Sequence, residues 1–271
     1  MSREEQMRPS QHEKAAAFRA LHESGVFVIP NPWDAGSAKV FAALGFPALA
    51  STSSGFAFTL GRPDGGATLD EVVEHAGALD RATDLPVSVD LENGHGPRPE
   101  DAALAITRVA GAGAVGGSIE DHDPATGIYE LAYAAERVAA AVEAARRLDF
   151  PFTLTARAEN HLHGRDDLAD TIARLQAFER AGADVLYAPG LSDAEQIRAV
   201  CAAVSKPVNV LGRPGLSVPQ IAAAGARRIS VGGALAWVAV SAMASAAQAI
   251  RDTGDFSVLA VPAQVRHWVD A

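Results

Sequence analysis

Apolar positions along the chain fall into two alternating patterns. Short runs rich in Val, Ile and Leu are separated by longer Ala-rich stretches in which apolar residues recur three and four apart. The short runs predict buried strands, because a strand covered on both faces needs no polar alternation, and the longer stretches predict amphipathic helices. Strands are expected at residues 26–30, 48–51, 86–90, 114–120, 152–156, 184–188, 207–211 and 228–232. Helices are expected at 35–44, 69–82, 99–110, 131–148, 168–181, 193–204, 218–224 and 235–251, with one more near 13–23. Eight strand-helix units in succession predict an α/β fold, a (β/α)8 TIM barrel with an N-terminal extra helix across the barrel bottom and a C-terminal helical extension. Gly45, Gly113, Gly182 and Gly225 stand where a helix gives way to a strand and a left-handed cap is needed.

The last helix departs from the barrel pattern. From Leu235 to Ile250 it is apolar nearly all the way round, whereas an outer helix should keep one wet face. Either a second copy covers it, giving a homodimer or homotetramer, or residues 256–268 fold back over it.

Composition narrows the rest. With 271 residues, 48% hydrophobic content and no linker, residues 1–271 are expected to form a single barrel domain. A formal charge of −10 with scattered basic residues argues against nucleic acid as a partner. Cys201 is the only cysteine, so neither a disulfide framework nor a thiolate metal cage can form. No run is expected to approach a membrane span, and residues 1–14 are charged rather than signal-like, so a cytoplasmic protein without membrane partners is expected.

Barrel chemistry sits at the C-terminal strand ends. There the chain places Asn31 and Trp33-Asp34, then Ser51-Thr52-Ser53-Ser54-Gly55, then Asp90 and Glu92, then Glu120, Asp121 and His122. Arg157, Glu159 and Asn160 follow, then Tyr187, Asn209 and Ser230. Asp90 and Glu92, two apart, can converge on one cation, and Glu120-Asp121 repeats the acidic pair one unit later. Crowded carboxylates repel, and a divalent metal or shifted protonation relieves them. Trp33 could wall the pocket or pack in the core. Gly212-Arg213-Pro214-Gly215 and Gly232-Gly233 read better as turns than as phosphate cradles, and His161-Leu162-His163 lacks a third ligand.

These residues carry a resemblance over nearly the whole chain. Asp90-Leu91-Glu92-Asn93-Gly94-His95-Gly96 is similar to the Asp-x-Asp-x-Gly-x-Gly segment of the isocitrate lyase and phosphoenolpyruvate mutase superfamily, with Glu in place of the second Asp. Gly117-Ser118-Ile119-Glu120-Asp121, Thr155-Ala156-Arg157, Ser53-Ser54-Gly55-Phe56 and Leu60-Gly61-Arg62-Pro63-Asp64 resemble its other strand-end segments, in order. The resemblance implies Mg2+, with Mn2+ as a substitute, held directly by Asp90 and through water by Glu92, Glu120 and Asp64. It implies a small carboxylic acid substrate gripped by backbone N–H groups around Ser54, Gly55 and Phe56. Asp90, Arg157, Trp33, Ser53, Tyr187 and Asn209 complete the expected substrate contacts, with Arg157, His122 and Asp64 as catalytic candidates. The activity implied is a C–C lyase acting on a 2-oxo or hydroxy di- or tricarboxylic acid. The alternatives are a phosphonopyruvate-type P–C bond enzyme and a 2-oxo acid binding protein without catalysis.

Two departures bear on mechanism. Residues 122–129, His-Asp-Pro-Ala-Thr-Gly-Ile-Tyr, replace both the Cys-bearing loop of the lyases and the Lys-x-Asn loop of the phosphonate enzymes. The proton donor must then be His122, Asp123, Tyr129, Tyr187 or water.

Overall fold

The structure, a computed structural model, describes residues 8–260, 262 and 267–268. Its first half runs α1 (Gln11–Ala20), β1 (Phe27–Ile29), α2 (Ala35–Ala43), β2 (Leu49–Ala50), α3 (Ser53–Thr59), α4 (Leu69–Ala82), β3 (Val87–Asp90), α5 (Pro99–Gly111) and β4 (Gly116–Glu120). A hairpin of β5 (His122–Asp123) and β6 (Gly127–Ile128) follows, then α6 (Leu131–Arg146), β7 (Thr153–Arg157), α7 (Leu168–Arg180) and β8 (Val185–Tyr187). The chain continues through α8 (Ala194–Ala203), β9 (Val208–Leu211), α9 (Val218–Ala223), β10 (Arg228–Ser230) and α10 (Ala234–Thr253).

Eight parallel strands pair in the order β1-β10-β9-β8-β7-β4-β3-β2, and the helices surround them as the (β/α)8 pattern predicts. The remaining seam, β1 to β2, is bridged where Ala50 N–H donates to the Pro30 carbonyl at 3.1 Å. Asn31 stitches the same seam at the barrel mouth. Its amide donates to the Ser51 carbonyl at 3.0 Å, and its Oδ1 accepts from Val231 and Gly232 N–H at 2.9 Å each. Gly232 therefore serves barrel closure, in keeping with a turn rather than a phosphate cradle.

The N-terminal helix lies across the bottom as expected. Ser10 and Glu13 form a capping box at its start. Phe18, fully buried, reaches β4, where a Cβ on Gly116 would come within 2.8 Å of its Cε1. Glycine there is a packing requirement. Lys14, also buried, pairs with Asp80 at 2.8 Å and ties α1 to α4.

Two elements escaped the sequence pattern because they are too short to display a period. They are α3, capped by Thr52 Oγ1 accepting from Gly55 N–H at 3.3 Å, and the β5-β6 hairpin.

Within α10, Ala236 is the buried residue, while Val238 and Met243 are 63% and 60% exposed. Phe256 and Leu259, at the start of the segment expected to fold back, are themselves exposed. Of residues 256–268, 261 and 263–266 lie outside the described residues. By length and composition α10 is long and apolar enough to cross a membrane, which corrects the expectation that no run approaches a span. Alanine, small yet apolar, raises the hydropathy of this helix without the bulky residues that mark most spans.

Candidate active site

Strand register brings the polar strand ends into one ring. Asp90 pairs with Ser118, Glu120 with Arg157, Arg157 with Tyr187, and Tyr187 with Asn209. Arg157 sits at its centre. Its Nη1 meets Asp90 Oδ1 at 2.8 Å, its Nη2 meets Glu120 Oε2 at 3.2 Å, and its Nε donates to Glu159 Oε1 at 2.8 Å. Burial opposes the charge, but Glu159, Asp90 and Glu120 outweigh it and hold Arg157 firmly protonated. Burial raises the Glu120 carboxyl well above its ordinary range despite Arg157 beside it.

The ring lines a cavity of about 180 Å³ bounded by Asp90, Asp64, Ser53, Ser54, Arg157 and Tyr187, with Asn209, Ser230 and Arg228 deeper in the barrel. Drug-sized ligands occupy clefts of roughly 300 Å³ or more. This one suits a small acid.

One guanidinium faces three carboxylates, and Glu92 and Asp64 stand close by. Burial, then the charges of Asp90 and Asp64, push Glu92 up to about 7, with Arg157 offsetting part of the rise. Such an excess of buried negative charge and hard oxygen donors fits a divalent cation that keeps several waters. Among the described residues, however, no three His, Cys, Asp or Glu side chains form a group that could hold a metal. Asp90 and Glu120 turn toward Arg157 instead, so Asp90, Glu92 and Glu120 make no closed cage as they stand. Asp90 Oδ2 also accepts from Ser53 N–H at 3.3 Å, and its Oδ1 from Ser118 Oγ at 3.4 Å. Glu92 and His95 lie just past β3 with φ of +50° and +58°, an uncommon backbone for either residue.

Several expected contacts lie elsewhere. Trp33 is absent from the cavity lining and packs edge-on to Phe41, centroids 6.3 Å apart. Phe56 is buried against His75, rings stacked at 4.0 Å, and its N–H donates to Thr52 O at 3.0 Å. Gly55 N–H goes to the Thr52 hydroxyl, so the first turn of α3 occupies two of the three donors expected to grip substrate, those of Gly55 and Phe56. Gly55 is instead demanded by packing, since a Cβ would fall 2.9 Å from Trp33 Cβ. Ser53 and Ser54 do line the cavity, and Ser54 Oγ accepts from Trp237 Nε1 at 3.1 Å, linking α10 to the pocket wall. His122 lies outside the lining, stacked on His163 with centroids 3.5 Å apart. Asp121 points away from Glu120, as alternation in a strand requires, and pairs with Arg174 at 3.0 Å.

Three supporting roles are not written in the sequence, although Glu159 stands among its strand-end residues. Glu159, 2% exposed, anchors Arg157. Buried Arg137 of α6 donates to the Asn93, Pro97 and Gly96 carbonyls and lies over the Tyr129 ring at 4.7 Å, fixing the loop after β3. Arg174 of α7 donates to Asp121 and to the Tyr129 carbonyl at 2.9 Å, holding the hairpin. A signal existed: arginines inside amphipathic helix stretches at positions where the period requires apolar residues.

The phosphoenolpyruvate phosphomutase family model matches residues 18–251. A Burkholderia cenocepacia J2315 protein provisionally described as a lyase/mutase is 54% identical, with TM-score 0.92 over 96% of this chain and 97% of that one. An oxaloacetate decarboxylase of Bradyrhizobium diazoefficiens is 30% identical over 255 residues, 88% of this chain and 85% of its own length. An oxaloacetate acetylhydrolase solved with its product oxalate is 26% identical, with TM-score 0.86 over 96% and 95% of the two chains.

Proposed function

Because the chain belongs to the phosphoenolpyruvate phosphomutase family, we propose that it is a Mg2+-dependent lyase of small 2-oxo or hydroxy di- or tricarboxylic acids, breaking a C–C bond by retro-aldol cleavage or decarboxylation. The observation that carries this reading is Arg157, buried among Asp90, Glu120 and Glu159 beside a cavity sized for a small acid. Names borne by relatives, oxaloacetate decarboxylase and oxaloacetate acetylhydrolase, agree with it.

Asp90 would hold the cation directly, with Glu92, Glu120 and Asp64 reaching it through water. When bound, Mg2+ or Mn2+ supplies a Lewis acid at the 2-oxo oxygen. Arg157 has five N–H donors, gives one each to Glu159 and Asp90 and ion-pairs with Glu120 through Nη2, and its remaining N–H groups would meet substrate oxygens and the negative charge that develops on them. Ser53 and Ser54 border the same space and orient the substrate carboxylate. Glu159 and Ser118 keep Arg157 and Asp90 in place before substrate arrives.

The P–C bond alternative loses support at the hairpin. Asp123 Oδ2 accepts from Tyr129 Oη at 3.1 Å and from Asn93 Nδ2 at 3.3 Å, so this segment is pinned and carries no nucleophile of the phosphonate type. The same reading has the enzyme acting in the cytoplasm on a free small molecule, without nucleic acid or membrane. A second copy covers α10 in a homodimer or homotetramer.

A turnover screen with oxaloacetate, isocitrate, methylisocitrate and phosphonopyruvate, with Mg2+, Mn2+ or chelator, tests the proposal. Metal-dependent cleavage of a carboxylic acid is expected. Turnover of phosphonopyruvate alone, or Mg2+-dependent oxalate binding without any turnover, overturns it in favour of an alternative.

A further inference from the structure

Beneath the cavity runs a chain of hydrogen bonds whose direction is set at one end. Arg228, 5% exposed, donates from Nε to Asn209 Oδ1 and from Nη2 to Thr155 Oγ1, each at 2.9 Å, and its Nη1 faces His22 Nε2 at 3.5 Å. A guanidinium can only donate. It therefore fixes the Asn209 amide with its oxygen inward, so that Nδ2 donates to Ser230 Oγ at 2.9 Å. The Ser230 hydroxyl bears on the Tyr187 phenol and favours its ionised form. Once Ser230 has accepted from Asn209, its own hydrogen is free to turn toward the phenol oxygen, and Tyr187 itself lines the cavity.

We propose that Tyr187 is the proton donor of the reaction, oriented by the Arg228-Asn209-Ser230 relay. This rests on the lyase reading above. The C–C bond breaks with its electron pair retained as the enolate while CO2 or a carbonyl fragment departs. The enolate carbon then forms a C–H bond with the Oη hydrogen, and the tyrosinate left behind regains a proton from water. No oxidant or reductant enters. Arg157, 5.4 Å from the Tyr187 ring centre, eases the transient phenolate. Burial pushes the phenol up to about 12, against Arg157 and Ser230, so its proton is in place at neutral pH. The other candidates have other duties. Asp123 and Tyr129 are bonded to each other and to Asn93, His122 is stacked on His163 outside the lining, and Cys201 lies on α8.

Tyr187→Phe tests this, since it keeps the ring beside Arg157 and removes only the hydroxyl. Steady-state decarboxylation should fall about 100-fold in kcat, the lower scale for losing a general acid, with KM and calorimetric oxalate affinity within about twofold. A second measurement separates chemistry from folding. With a 3-methyl-substituted oxaloacetate in D2O, and the product reduced as it forms, wild type should deliver deuterium to one face and Y187F should give a racemic product. A Y187F enzyme with wild-type kcat and one-faced delivery overturns the donor assignment alone. Wild-type protein that cleaves none of the 2-oxo or hydroxy acids of the screen overturns the lyase reading and the assignment with it.

Discussion

Glu92→Gln should make the metal-free protein more stable at pH 8, with a gain about four times smaller at pH 5. In the native chain burial, Asp90 and Asp64 raise the Glu92 carboxyl from its ordinary 4.5 to about 7. Below 4.5 the group is neutral whether the chain is folded or not, and it contributes nothing. Between 4.5 and 7 the unfolded chain releases the proton while the folded chain keeps it, so stability falls as pH rises through that window. At about 1.4 kcal/mol per pH unit the full loss is about 3 kcal/mol, and residual solvent access brings it nearer 2 kcal/mol. Glutamine keeps the size and removes the ionisation. Urea denaturation of wild type and variant in EDTA at pH 5 and pH 8 measures the difference. Curves that run parallel at both pH values would refute the reasoning, because Glu92 would then ionise as freely in the folded chain as in the unfolded one. In saturating Mg2+ the advantage of the variant should shrink or reverse, since the cation binds the ionised form.

Asp90→Ala should abolish Mg2+-dependent binding of oxalate in calorimetry, because it removes the expected direct ligand and one of the three carboxylates on Arg157; unchanged affinity would remove Asp90 from the metal site. Arg157→Lys should lower turnover by roughly two orders of magnitude, since one ammonium cannot serve Asp90, Glu120 and Glu159 in three directions and still meet substrate; an equal steady-state rate would make Arg157 structural. Sedimentation at micromolar concentration should find a dimer or tetramer, with Val238→Glu shifting it toward monomer through the exposed face of α10; a monomeric wild type would refute the covered-helix proposal.

Much of the barrel was legible in the sequence because its pattern is local. A strand buried on both faces writes a continuous apolar run and an outer helix writes a 3.6-residue period, so each of the eight units declares itself within about thirty residues. The order of the strands then follows from right-handed crossovers, and it brings Asp90, Glu120, Arg157 and Tyr187 to one rim. The directions of those side chains were not legible. Asp121 turning to Arg174, the α3 cap occupying Gly55 and Phe56 N–H, and Trp33 packing on Phe41 depend on neighbours distant in sequence. Arg157 standing among three carboxylates, with Arg228 orienting Asn209 below it, depends on register between strands that no single segment encodes. Residue types at the strand ends are local information, whereas which charge neutralises which, and which donor remains free for substrate, is decided only when the barrel closes and excludes water.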